Sequence, residues 1–258
     1  MATPKNFSVM KAFAILKAFH SAEEWVTSCE LSRRAKLPEA SGYRLIQTLE
    51  DLGAIVRGQN GRYRLGLLLL SLSHNVTLID PLREASRDVM QALANELTLT
   101  THLGVLEHGM VTYVEKISAP GAFPVHTRVG AQLEAYCSGL GKVLLAALPD
   151  LEVERFIQEG ELVALTPHTI TTHAALRKEL VAVREQGFAL DDRENQANMR
   201  CIAVPILDGT TRTIGALSAT DEASRMGEFR QAEIRKALQN AAETVRGKLF
   251  RFRQSVAA

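Results

Sequence analysis

The sequence has few of the features that mark secreted or membrane proteins. It contains three cysteines, Cys29, Cys137 and Cys201, which form no closely spaced pair and are odd in number. A disulfide framework is therefore not expected, and the reducing cytoplasm is the expected compartment. No apolar run approaches the roughly 18 residues that cross a membrane. The opening residues, MATPKNFSVMK, lack the apolar stretch of a secretory signal.

Complete signatures of catalysis and metal binding are also missing. The segment SGLGK at 138–142 resembles part of a phosphate-binding loop, but Val143 follows the lysine where Ser or Thr is required. No GxSxG motif occurs, and no cysteine has a histidine partner in a known signature. His168 and His173 are close in sequence, but a solvated loop explains them better than a metal site. We therefore predict no catalytic residue, metal or cofactor. An enzyme that acts on a small organic acid is the alternative.

The composition is that of an ordinary folded protein with an uneven distribution of charge. Hydrophobic residues make up 46% and charged residues 23% of the 258 positions, which provides enough apolar material for two domains. Residues 1–66 carry 10 Lys and Arg against 6 Asp and Glu, whereas the rest of the chain has a net charge of −3. This asymmetry predicts that an anionic partner binds the first domain alone.

Residues 1–66 are predicted to form three helices and a hairpin. The first helix spans Phe7 to His20, with Ser8 as its N-cap and with Val9 and Phe13 at helical spacing. The segment CELSRRAK predicts a short second helix.

The third helix and the hairpin complete this domain. The helix covers residues 39–53 and ends at Gly53, with Leu45, Ile46 and Leu49 facing inward. The strands AIVR and RYRL flank an Asn-Gly turn at 58–61. This order of elements is a winged helix-turn-helix. A protein-interaction module with the same elements is the alternative.

The outward side chains of this domain favour DNA binding. Hydroxyl, aromatic, amide and basic groups of these types contact base edges and phosphates in a major groove. On the outer side of the third helix they are Ser41, Tyr43, Arg44 and Gln47. The hairpin adds Arg57, Arg62 and Arg64, which are suited to contacts with the DNA backbone or minor groove. All these groups are expected to converge on one surface.

The block LSRRAKLPEASGYRLIQTLEDLGAIVRGQNGRYRLG resembles the DNA-binding domain of the isocitrate lyase regulator (IclR) family of bacterial transcription factors. It departs from the usual family pattern at three positions. Glu39 replaces a common lysine, Ala40 lacks a hydroxyl, and Gly42 lies inside the helix at a cost of about 1 kcal/mol relative to alanine. This glycine would permit a close backbone approach. The resemblance implies sequence-specific binding to duplex DNA.

Residues 67–80 are predicted to form a linker helix. The segment LGLLLLSLSHNVTLID is too apolar for a helix with only one buried side. In the family that it resembles, this helix pairs two subunits, which implies a homodimer or a pair of dimers. A buried core helix is the alternative. Asp80 and Pro81 are expected to close the linker and mark the domain boundary.

Residues 81–258 are predicted to form an α+β domain in which helices cover both faces of an antiparallel sheet. Hairpin strands are expected at THLGVLE and MVTYVEKIS, and further strands at FPVHTRVG, FALDD, RCIAVPILD and RTIGALSAT. A long helix is expected from about Gly227 to Arg253.

This second domain also resembles the IclR family, in the segments TRVGAQLEAYCSGLGKVLLAALP and DDRENQANMRCIAVPILDGTTRTIGALSAT. The resemblance implies a GAF-like sensory fold with a pocket for a small organic acid, either aromatic or aliphatic. By matching position, the residues implied for the effector are Gly139, Leu140, Asp191, Cys201, Ser218 and Thr220. Asp191 is expected to shape the pocket rather than contact an anion. Cys201 is expected either to contact the ligand or to be a buried core thiol.

Overall fold

The computed structural model describes residues 6–21, 23–73 and 78–250 of the chain. Two compact units divide the chain, one comprising residues 1–77 and the other residues 78–258. Within the described ranges, no helix is both long enough and apolar enough to cross a membrane.

The first unit has the predicted order of helices and hairpin, with an additional short strand. In chain order its elements are α1 (Phe7–Lys17), β1 (Val26–Thr27), α2 (Ser28–Arg34), α3 (Glu39–Asp51), β2 (Ile55–Arg57), β3 (Arg62–Leu65) and α4 (Leu67–Ser73). The three strands are antiparallel in the order β1-β3-β2. Tyr63 of the central strand is only 1% exposed and packs in a core with Ile15, Leu31 and Ile46.

Helix α1 begins and packs differently from the prediction. Asn6, not Ser8, is its N-cap, since the Asn6 side-chain oxygen accepts hydrogen bonds from the backbone N–H groups of Ser8 and Val9 at 3.0 and 3.3 Å. Val9 and Phe13 are more than half exposed, because Ile15 occupies the face that meets the core. The helix ends at Lys17 rather than at His20.

Helices α2 and α3 approach each other closely at Gly42. This residue is buried, and a Cβ atom at its position would lie 2.0 Å from Ser32 Oγ and 2.7 Å from Ser32 Cβ. The Ser32 hydroxyl is in turn fixed, because it donates to the carbonyl of Ser28 at 2.8 Å. The close approach anticipated for Gly42 is therefore a contact between two helices of its own domain.

The linker predicted over residues 67–80 is described only in part, because residues 74–77 lie outside the described ranges. The prediction that Asp80 and Pro81 close it is wrong. Both residues lie in the first turn of helix α5 (Ile79–Leu97). Proline is tolerated there because the first N–H groups of a helix have no partner within the helix.

The second unit is built around a six-stranded antiparallel sheet with the strand order β6-β5-β4-β9-β8-β7. Its strands are β4 (Thr100–Glu107), β5 (Met110–Ser118), β6 (Gln132–Glu134), β7 (Ala189–Asp192), β8 (Met199–Leu207) and β9 (Thr213–Glu222). Its further helices are α6 (Gly139–Ala146), α7 (Asp150–Glu159), α8 (His173–Gln186) and α9 (Glu228–Leu249). The predicted end of α9 at Arg253 falls outside the described residues.

Alternation along the strands gives this sheet two covered faces. Leu217 and Ala219 of β9 pack in a core with α5 and α9, whereas Ala216 packs in a second core with α6, α7 and α8. Ser218 lies between Leu217 and Ala219 and therefore belongs to the α6 face. The predicted sandwich of helices around an antiparallel sheet is confirmed.

The strand predicted at residues 123–130 is wrong. This segment forms no strand, and the sheet continues only at β6. The Lys116 ammonium group donates to the carbonyls of Val125 and Thr127 at 2.5 and 3.1 Å. A side chain thus satisfies backbone groups that a neighbouring strand would otherwise bond, so the chain can cross one end of the sheet as a loop.

Candidate functional site

The third helix presents the predicted DNA-facing residues unequally. Tyr43 and Arg44 are exposed, whereas Ser41 and Gln47 are half-buried. The Gln47 amide donates weak hydrogen bonds to Glu50 Oε2 at 3.3 Å and to a core tyrosine hydroxyl at 3.5 Å. Tyr43 and Arg44 are therefore the most accessible of the four side chains.

The arginines of the hairpin lie on two faces rather than one. Arg57 pairs in register with Tyr63, and its guanidinium carbon lies 5.9 Å from the centre of the Tyr63 ring. Arg62 and Arg64 flank Tyr63 on the same strand and therefore point to the opposite face. There Arg64 stacks on Trp25 at 5.0 Å. Strand alternation thus separates Arg57 from the other two side chains.

A cavity of about 240 Å³ opens at one end of the sheet in the second unit. We call it the Ser218 cavity. Four of the six implied effector residues line it, namely Leu140, Cys201, Ser218 and Thr220. The register explains their proximity, since Cys201 of β8 lies opposite Thr220, and Ser218 and Thr220 share one face of β9.

The other two implied residues support the cavity without lining it. Gly139 packs against Cys201, whose carbonyl oxygen would lie 3.3 Å from a Cβ atom at residue 139. Asp191 Oδ1 accepts hydrogen bonds from the backbone N–H groups of Glu194 at 2.7 Å and Asn195 at 3.3 Å. Asp191 therefore holds the turn whose next residues reach the cavity.

Most of the lining comes from residues that the sequence did not identify. They are His102, Tyr113, Val125, His126, Thr127, Arg128, Ala131, Gln132, Leu133, Ser138, Asn195, Gln196 and Met199. Several belong to the loop at 123–130, which the pattern of apolar residues predicted as a strand. His102 enters because β4 pairs with β9 and places it opposite Ser218. A hairpin signal shows that β4 pairs with β5, but it contains no information on this second partner.

The lining of the cavity mixes apolar side chains with buried polar ones, and two of the buried titratable groups are uncharged at neutral pH. Burial lowers the pKa of His102 to about 3, and its Nε2 atom lies 2.7 Å from Thr127 Oγ1. Burial also raises the pKa of the Cys201 thiol to about 11. Ser218 is 1% exposed, and its Oγ atom forms no hydrogen bond of normal geometry with any described residue, although it lies near the Cys201 thiol.

Among the described residues, no group of three or more His, Cys, Asp or Glu side chains is placed to hold a metal ion. His168 lies in an exposed turn, and His173 is the exposed first residue of α8.

Comparison with known proteins identifies both units. The family model described as "IclR helix-turn-helix domain" matches residues 8–58, and that described as "Bacterial transcriptional regulator IclR C-terminal" matches residues 74–246. The chain belongs to the IclR family of bacterial transcriptional regulators. The transcriptional regulator XynR of Escherichia coli K12 is 33% identical over 235 residues, which cover 91% of this chain and 93% of XynR. KdgR of the same organism is 34% identical over 244 residues, which cover 92% and 90%.

Solved structures of IclR proteins share the fold. The Thermotoga maritima IclR structure matches with a TM-score of 0.63 and 26% identity, covering 94% of this chain and 98% of that one. An IclR homolog from Microbacterium hydrocarbonoxydans, crystallised in complex with 4-hydroxybenzoate, matches with a TM-score of 0.61 and 28% identity over the same shares. The IclR fold therefore accounts for both units of the chain.

In this IclR chain the lysine of the SGLGK segment is a buried structural charge. Lys142 Nζ lies 2.6 Å from Glu194 Oε1 and 2.8 Å from Glu179 Oε1, and it donates to the carbonyl of Leu190 at 2.5 Å. Burial acts to lower the pKa of Lys142, but attraction to the two carboxylates outweighs it and raises the pKa. Lys142 thus joins α6, α8 and the turn after β7, which rules out the phosphate-loop role.

The buried carboxyl of Asp191 predicts a pH dependence of stability. Burial raises its pKa from 3.8 to about 7. Between these two pKa values, the folded chain keeps a proton on Asp191 that the unfolded chain has released. The stability that this proton contributes is therefore present in acid and is lost as the pH rises towards 7. We expect Asp191→Asn to gain stability relative to the wild type over this range, by up to about 1.4 kcal/mol per pH unit.

Urea unfolding at several pH values measures this difference, with Asp192→Asn as the control. Hydrogen bonding from Arg200 lowers the pKa of Asp192, so the stability contributed by that carboxylate is lost as pH falls below about 4. Neutral His102 changes the stability with pH in the opposite direction to Asp191. Its contribution is the same in the wild type and in each variant, so it cancels when each variant is compared with the wild type. The same pH trend in both variants would show that Asp191 is ionised normally.

Proposed function

We propose that this regulator binds an operator in duplex DNA through its first unit and a small organic carboxylate in the Ser218 cavity. Ligand binding would change the affinity for the operator, and the ligand would not be transformed. Its place of action would be the compartment that holds the DNA. The observation that supports the sensor most directly is the cavity itself, whose buried lining includes the Ser218 hydroxyl beside the Cys201 thiol.

The charges around the cavity favour an anion. No Asp or Glu side chain lines it, and Arg128 lies at its exposed rim. Leu140 lies at the start of α6, where the partial positive charge of a helix N-terminus attracts an anion. A carboxylate is also part of 4-hydroxybenzoate, the ligand named for the Microbacterium hydrocarbonoxydans homolog. These features together support an organic acid as the effector.

A thermal-shift screen with a panel of carboxylates, followed by operator-binding assays, tests this function. A ligand that binds only the folded chain raises its melting midpoint, and a true effector also changes the operator affinity. Each hit is then incubated with the protein and analysed for products. Turnover of the ligand would contradict the sensor and support an enzyme.

Two arginines of the first unit are expected to affect DNA binding in different ways. Arg44→Ala should weaken binding to the preferred operator by about 1–3 kcal/mol, because an arginine of α3 can bond a guanine edge. Arg62→Ala should weaken binding to all sequences alike and reduce the salt dependence, because a backbone contact carries no sequence information. Fluorescence anisotropy with operator and scrambled duplexes at several salt concentrations measures both effects. Unchanged affinity in both variants would contradict the assigned surface.

The exposed leucines of α4 support a homodimer. Leu67, Leu70 and Leu72 are 79%, 57% and 55% exposed in the single chain, which is costly in water unless a second copy covers them. We expect Leu70→Glu to shift the protein from dimer to monomer, with Ser71→Glu as the control on the same helix. Light scattering at micromolar concentration measures this change. A wild-type monomer that binds a single half-site would overturn the dimer.

A further inference from the structure

We propose that Glu39 makes this regulator select a cytosine where α3 enters the major groove, by accepting a hydrogen bond from the amino group of that base. This inference rests on the proposed binding of operator DNA through the first unit, and it adds the base that one side chain selects.

The first observation is the position of Glu39 on α3. It is the first residue of the helix and is exposed. In helix-turn-helix domains, the N-terminal residues of the recognition helix contact base edges in the major groove. Tyr43 follows one turn later on the same side of α3 and is exposed as well. Ala40 is exposed and has no side-chain atom beyond Cβ, so the edge of a base can approach this first turn closely.

The second observation is that the Glu39 carboxylate has no ion-pair partner in the part of the chain that the structure describes. Arg33 and Arg34 of α2 precede it by a few residues, but both pair with Glu30, at 2.7 and 2.8 Å. The Cys29 thiol lies beside Glu39, and hydrogen bonding to the carboxylate raises the pKa of that thiol. A thiol is a weak donor, so most of the accepting capacity of the carboxylate is left for DNA.

Few groups on DNA suit an acidic acceptor, which is why this position carries sequence information. The phosphates are anions and repel a carboxylate. In the major groove, the amino groups of cytosine and adenine are the donors of the bases. The adenine amino group lies beside N7, which is an acceptor, whereas cytosine presents its N4 donor alone. Glu39 therefore favours cytosine over the other three bases.

Selection of bound duplexes from a random library by the full-length protein, followed by anisotropy with single duplexes, tests this preference. Each C·G pair of the selected site is replaced in turn by T·A, which exchanges the N4 donor for the O4 acceptor. At one position we expect the wild type to bind the T·A duplex about tenfold more weakly. Glu39→Gln should bring this ratio close to one, because an amide can donate to O4 as well as accept from N4.

Two further variants separate base reading from the role of an acid at the start of a helix. Glu39→Asp keeps the negative charge beside the N-terminus of α3 but is shorter by one methylene group, so it should lose most of the preference. Asp51→Asn removes a carboxylate from the exposed last residue of α3, and it should leave the ratio unchanged. The ratio compares two duplexes on one protein, so it does not depend on how much of that protein is folded.

Each result has a definite consequence. If the wild type selects no sequence from the library, both operator binding and the base preference are wrong. If it selects a site in which no C·G pair distinguishes the wild type from Glu39→Gln, operator binding stands and the role of Glu39 is overturned. Adenine at the position that responds to Glu39→Gln overturns the choice of cytosine. An equal fall of the ratio in Asp51→Asn assigns the effect to net charge and also overturns the contact.

Discussion

Replacing Lys142 with Met is expected to lower the free energy of unfolding of the second unit by about 3–5 kcal/mol. The substitution removes the cation from a buried pair and leaves the Glu194 carboxylate, whose side chain is 7% exposed, without its counter-charge. Glu179 is less affected because its side chain is 30% exposed and can turn towards water. The substitution should also disturb the Ser218 cavity. The turn that holds Glu194 continues into Asn195 and Gln196, which line that cavity.

The double variant Lys142→Met with Glu194→Leu is the control for this effect. Replacing both members of a buried ion pair by apolar residues is often close to neutral, so the second substitution should restore at least half of the loss. Urea unfolding followed by far-UV circular dichroism measures both units, and the five helices described in the second unit contribute most of the helical signal. Trp25, the one tryptophan of the sequence, reports the first unit by fluorescence, and its transition should not move. A loss below 1 kcal/mol in the single variant would mean that Lys142 is paired mainly with water.

Gly42→Ala is expected to lower the stability of the first unit by about 2 kcal/mol. Alanine favours a helix over glycine by about 1 kcal/mol, but the new methyl group would overlap both Ser32 Oγ and Ser32 Cβ. The hydroxyl can rotate away, whereas the Cβ atom moves only if α2 moves, and overpacking of this kind costs roughly 1–3 kcal/mol or more. Because a small domain has only about 0.05–0.15 kcal/mol of stability per residue, operator binding should fall with it.

Gly247→Ala provides the matched comparison for this substitution. Gly247 also lies inside a helix, but no atom lies within 4 Å of the position that its Cβ would occupy. The same chemical change should therefore stabilise α9 slightly while it destabilises α3. The Trp25 fluorescence transition measures the effect of Gly42→Ala, and circular dichroism measures that of Gly247→Ala. Equal effects of the two substitutions would show that α2 and α3 have room to separate.

The sequence predicts the first unit well because its signals are local. Pro38 before α3, Gly53 after it and the Asn-Gly turn of the hairpin each act over a few residues, and the structure has all three where they were expected. The error at α1 arose because Val9 and Phe13 are apolar at the right spacing, although Ile15 is the residue that meets the core. Periodicity shows that a helix forms, but several apolar faces can compete for burial.

The Ser218 cavity was only partly predictable from the sequence, because some of its residues are brought together by contacts between distant parts of the chain. Ser218 and Thr220 follow from strand alternation, and Cys201 follows from the pairing of consecutive strands β8 and β9. His102 depends on the pairing of β4 with β9, which joins residues more than a hundred positions apart. The loop that carries Thr127 and Arg128 depends on Lys116, whose bonds to backbone carbonyls leave no pattern in the sequence.

The same β4–β9 pairing has a consequence for synthesis on the ribosome. Strand β4 lies near the beginning of the second unit and β9 near its end, yet they are neighbours in the middle of the sheet. The first unit can fold as soon as it emerges, because its contacts are local. Strands β4 and β5 must instead wait, with an apolar edge open, while about a hundred further residues are translated. Synthesis of the second unit is therefore the stage at which this regulator most needs protection from aggregation.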